Sequence, residues 1–169
     1  MDEFENFTES LHEKINDEAK ERKEEQRWSL WVAISTALFA ILAAISSLFA
    51  GHYSNEALID QIKASDSWSY YQAKSIKLEI ITHSAKPDSA KAVQLSSDEK
   101  KIQTDAKEQE ASSAHLLEKH VVLSKAVTLF QIAIAISAIS IVTSKRFLWI
   151  IAVIISLAAI IFFISGLLQ

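Results

Sequence analysis

His115, Glu118 and His120 come nearest to a metal-binding pattern in this 169-residue chain. On a helix His115 and Glu118 share a face, but His120, five residues beyond His115, turns away from it, so the spacing does not gather a zinc ligand set. The histidines read as a solvated helix face, with no metal and no cofactor. The absence of cysteine excludes thiolate nucleophiles, disulfides and zinc–cysteine sites. No Ser/His/Asp arrangement stands out, and the chain reads as not an enzyme, with no small-molecule substrate evident. Two other groups remain. Gln131 is the most polar residue in a long apolar run, and Ser46 or Ser47, expected at a similar depth, offers it an interhelical hydrogen bond. Asp66, Trp68, Tyr70, Tyr71, Gln72 and Lys74 concentrate aromatic rings and charge in an otherwise polar arm, a composition that suits a local packing knot, a partner-binding or subunit-contact surface, or a ligand-stacking site.

The elements that must position these residues follow from hydropathy. Residues 28–50, 126–144 and 147–168 contain no charged side chain, and each run is long enough to cross a hydrocarbon core of roughly 30 Å at 1.5 Å per residue. The third holds fifteen Leu, Ile, Val or Phe residues, an insertion free energy on the order of −4 to −9 kcal/mol as an upper bound. The second contains Thr128, Gln131, Ser137, Ser140 and Thr143 and needs its neighbours to insert firmly. The first is too long for a secretory h-region and follows 27 residues with ten acids, so it reads as an uncleaved anchor. No Asp, Glu, Lys, Arg or His lies inside a span, which disfavours an ion-coupled transporter or proton relay.

With only two Gly and one Pro, the chain favours a few long helices over strands and turns. Lys14, Lys20, Arg22, Lys23 and Arg27 precede the first span, and Lys145 and Arg146 separate the second from the third. The positive-inside rule places both segments in the cytoplasm, residues 51–125 in the periplasm and the C-terminus there too. Trp28, Trp31 and Trp149 then form a cytoplasmic aromatic belt. Residues 1–27 carry Phe4, Phe7, Leu11, Ile15 and Ala19 on one face, the pattern of an amphipathic helix. The net charge of −4 gives no case for nucleic acid.

Residues 51–125 predict a periplasmic antiparallel helical hairpin with its turn near 84–97, around Lys86-Pro87-Asp88. Ser96-Ser97-Asp98-Glu99 reads as a capping box for the returning helix. A coiled-coil-like seam is expected from Leu58, Ile62, Ser65, Ser69, Gln72, Ile76 and Ile80 on the outgoing arm. Leu95, Ile102, Leu116 and Leu123 face it on the return at seven-residue spacing, with Gln109 interrupting the series. Trp68 and Tyr71 should fall near Ala106 and Ala111. Within the membrane, small stripes are expected to pack the bundle: Ala33, Ala37, Ala40, Ala44, Ser47 and Gly51; Ala126, Ala133, Ser137, Ser140 and Ser144; Ala152, Ser156, Ala159 and Gly166.

The stretch Asn55-Glu56-Ala57-Leu58, followed by Gln61 through Lys77 with its Trp68-Ser69-Tyr70-Tyr71-Gln72-Ala73-Lys74 core, resembles the signature of an uncharacterised bacterial membrane family, domain of unknown function 4337. The similarity also touches Leu11–Ile15 and Leu129–Ala133. It implies a three-span bacterial inner-membrane protein and brings no activity, substrate or catalytic residue. The expectation is therefore an all-α membrane protein with three transmembrane helices and a long periplasmic antiparallel hairpin. Its function class is a structural or interaction protein, a scaffold or accessory, homo-oligomeric in the lipid bilayer and with a possible protein partner at the hairpin. The alternative is an oligomeric channel.

Overall fold

Without residues that break helices, a chain closes i to i−4 hydrogen bonds until something stops it. The computed structural model describes residues 2–84 and 88–169, and of residues 2–11 and 13 the backbone alone. It contains three α-helices, α1 (Asp2–Thr82), α2 (Ser89–Thr143) and α3 (Arg146–Leu168), and no strand among the described residues. All three are long and apolar enough to cross a membrane, with windows of mean hydropathy 2.3, 2.1 and 3.1. Of the expected N-terminal apolar face, the side chains of Phe4, Phe7 and Leu11 lie outside the described residues, while Ile15 and Ala19 are exposed.

The start of α2 differs from the expected capping box. Lys86 and Pro87 lie outside the described residues, and Asp88 is the cap: its Oδ1 accepts the Lys91 backbone N–H at 3.1 Å and its carbonyl that of Ala92 at 3.0 Å. A carboxylate at this end satisfies an orphan donor and meets the positive pole of the helix. Ser96–Glu99 therefore lies inside α2. At its other end α2 stops at Ser144, whose φ of 52° is left-handed, and the Ser140 hydroxyl donates to the Lys145 carbonyl at 3.0 Å.

The chain divides into two units, Met1–Ser46 with Lys125–Phe162, and Ser47–Ser124 with Phe163–Gln169. In the first, Ala126, Ala133, Ser137 and Ser140 of α2 and Ala152, Ser156 and Ala159 of α3 are buried, as their spacing predicts. Ser144 is exposed at the turn. On α1 the expected stripe is out of phase: Ala33, Ala37, Ala40 and Ala44 are exposed, and Val32, Phe39, Ala43 and Ser46 are buried instead. Three small stripes meeting at one core would leave voids, and close packing calls for volume from at least one helix. Phe39 of α1 and Phe130 of α2 provide it. Trp149 of α3 donates its indole N–H to the Ser35 hydroxyl at 3.1 Å.

In the second unit the buried positions of α1 are Ala50, Ala57 and Ala64, one every seven residues. Those of α2 include Leu95, Ala106, Ser113 and Leu123. The α1 seam expected from larger residues is thus corrected: Leu58, Ile62, Ser65, Ser69, Gln72, Ile76 and Ile80 are all exposed, as are Ser47 and Gly51. The reason is close approach. The Ser113 hydroxyl donates to the Ala57 backbone carbonyl at 2.8 Å, a contact that brings α2 close to the α1 backbone where α1 carries only a methyl group. Gly166 of α3 makes a similar contact, since a Cβ there would lie 2.8 Å from Leu123 Cγ.

Candidate functional site

The polar contacts of the second unit join α1 to α2. The Ser67 hydroxyl donates to Gln109 Oε1 at 3.0 Å, and the Ser112 hydroxyl to Asp60 Oδ2 at 2.7 Å. The Trp68 indole N–H donates to Glu110 Oε1 at 2.9 Å, and Lys74 Nζ to Asp98 Oδ2 at 2.9 Å. His120 Nδ1 lies 2.8 Å from the Ala50 carbonyl. As the α1 partner rises from 50 to 74, the α2 partner falls from 120 to 98.

The segment singled out for its aromatics is split by this ladder. Trp68, Tyr71 and Lys74 are half-buried. The two rings meet edge to face, centroids 5.7 Å apart, and Lys74 also sits 5.3 Å from the Tyr70 ring centroid. Ala106 is buried, whereas Ala111 is exposed. Asp66, Tyr70 and Gln72 are exposed, so they are the part of the segment that remains open to a partner. Of the α2 partners, Glu110 and Ser112 carry no signal in the sequence, and Asp98 and Gln109 stand out there only for a capping box and for the seam.

Electrostatics follow the same contacts. The hydrogen bond from Ser112 and the Lys63 ammonium, 3.1 Å from Asp60 Oδ1, hold the Asp60 carboxyl below its ordinary range. The bond to Asp98, supported by Tyr70, pushes the Lys74 ammonium above its own. Both stabilise the charged forms.

The intramembrane contact expected of Gln131 takes another form. Ser46 is buried, but its hydroxyl donates to the Leu42 carbonyl at 2.7 Å. A hydroxyl that bonds its own i−4 carbonyl has no donor left for a neighbour. Gln131 and Ser47 are exposed. Among the described residues no three His, Asp or Glu side chains come close enough to hold a metal ion.

The model of the family described as Domain of unknown function (DUF4337) matches residues 28–169. The chain belongs to that family. No curated protein and no solved structure matches it. The DUF4337 match spans all three apolar runs and the whole polar ladder and leaves out residues 1–27.

Proposed function

We propose that this DUF4337 protein is a multi-pass protein of the bacterial inner membrane that acts by assembly, as a self-associating scaffold or accessory subunit. Its N-terminus lies in the cytoplasm, residues 51–125 form an antiparallel periplasmic hairpin, and its C-terminus is periplasmic. The basic residues at 14–27 and at Lys145–Arg146 support that orientation. The antiparallel reading rests on the ladder from Ala50–His120 to Lys74–Asp98.

The observation that carries the reading is the ladder itself. It spends the segment's strongest polar groups on holding two helices together, and it leaves Asp66, Tyr70 and Gln72 on the surface of a fixed arm. A rigid arm with exposed aromatic and polar side chains is suited to docking, because little conformational freedom is lost when it binds. Native mass spectrometry in lipid nanodiscs tests the proposal. A defined multimer is expected; monomers alone, with no partner recovered from native membranes, would contradict it.

A second reading, an oligomeric channel, is favoured by Gln131. An exposed amide at membrane depth lacks the hydrogen bonds it has in water, and a subunit contact or an aqueous path restores them. The channel reading predicts a conductance in planar bilayers that Gln131→Leu alters. Silent bilayers at high protein load would dismiss it.

A further inference from the structure

The outward face of α1 in the second unit carries an unbroken alternation of three- and four-residue steps, 55–58–62–65–69–72–76, and every one of these positions is exposed and uncharged. Leu58 is 59% exposed, Ile62 62% and Ile76 60%. The same alternation reads back along the sequence through Gly51, Leu48, Ala44 and Ile41, all exposed. Lipid accounts for such a face within a span. It does not account for it in an arm whose buried side already packs on α2. A 3.5-residue period is the signature of a helix that supercoils with a partner, and α1 keeps this second seam on the side away from α2.

We infer that this face pairs with the same face of a second copy, α1 against α1 and parallel. The inference rests on the self-association proposed above and names its surface. Three observations select a copy over another occupant. Copies in one membrane share their orientation, so α1 meets α1 in parallel and in register, each residue opposite itself. An uncharged seam tolerates that arrangement, and the flanking positions 61, 66, 68, 73 and 75 hold a single charge, Asp66, which lies across from the copy's Gln61. The outer face of α2 does not tolerate it, because exposed Lys100, Lys101 and Glu108 would each meet a like charge. Asn55 sits at an a position of the seam, where an asparagine bonds its own copy and fixes register in parallel pairs.

The chain has no cysteine, so single-cysteine variants report cleanly. Leu58→Cys and Ser65→Cys occupy d positions, and Lys101→Cys and Glu108→Cys serve as controls on α2. Each full-length variant is placed in nanodiscs, treated with a thiol oxidant and counted by native mass spectrometry. Ser65→Cys changes the side chain by one atom and guards against misfolding. The expected result is a multimer in which most Leu58→Cys and Ser65→Cys chains become disulfide-linked pairs and the α2 variants do not. A multimer in which only the α2 variants cross-link overturns the face and leaves self-association standing. Monomers throughout overturn both. A face that is protected only in native membranes, by a different protein, also overturns the second copy as its occupant.

Discussion

The two sides of α1 in the second unit differ in the size of their apolar residues. Toward α2 it presents Ala50, Ala57 and Ala64; away from α2 it presents Leu58, Ile62 and Ile76. A rule that buries the most hydrophobic residues would choose the second set for the core. The fold buries the first, because alanines let two backbones approach until Ser113 bonds the Ala57 carbonyl. In this unit the packing surface is chosen by fit. Large apolar residues left outside then mark the surface that has still to be covered.

The most damaging way to break this difference is to enlarge the inner side. Ala64→Leu or Ala106→Leu should overpack the seam and cost about 3 kcal/mol, with loss of the cooperative thermal transition followed by circular dichroism in detergent. Gly166→Ala forces its Cβ against Leu123 and should cost roughly 1–3 kcal/mol in the same assay. Trp68→Phe keeps a ring but removes the donor to Glu110, and a loss of about 1 kcal/mol is expected. Ser144→Gly acts in the opposite direction, since glycine adopts a left-handed φ at no steric cost, and should stabilise by roughly 0.5–1 kcal/mol.

The smallest effect is that of pH on the ladder. Asp60 has a lowered pKa, so its contribution is present above the unfolded value of about 4 and is lost as pH falls through the folded value. Lys74 has a raised pKa, so its contribution is present below the unfolded value of about 10.4 and is lost as pH rises through the folded one. Stability should therefore be flat between about pH 5 and 9 with respect to these two groups and fall slightly outside it. Lys74→Met should flatten the alkaline limb and leave the acid limb unchanged.

The helices and their three apolar spans were legible in the sequence because lack of charge and lack of Gly and Pro are local properties. Stripes on α2 and α3 were legible too, since Ala126, Ala133 and Ser140, and Ala152 and Ala159, recur every seven residues. On α1 both the membrane stripe and the outer seam were assigned to the wrong side. In the second unit that helix carries two heptad series a few residues apart, and hydrophobicity favours the one with leucine and isoleucine; in the first the small series is the exposed one, and Val32 and Phe39 fill the core. Choosing between them needs the partner's shape, which Ser113 and Leu123 supply only once the register is known. The capping box misled in a similar way: Ser96 and Glu99 have the right types, but Asp88 comes first and starts the helix. Trp68 and Lys74 stand out by type, yet Glu110 and Asp98 as their partners follow only from how α1 and α2 pair.

Thiol labelling along α1 tests most directly that small residues face inward and large ones outward. Single cysteines at Ala57, Leu58, Ile62 and Ala64 are reacted with a soluble maleimide, once in dilute detergent as monomers and once in nanodiscs. Fast labelling of 58 and 62 is expected in the monomer, with protection of 57 and 64 in both and protection of 58 and 62 once copies assemble. Labelling of 57 and 64 as fast as 58 and 62 in the monomer would contradict the inward placement of the small residues.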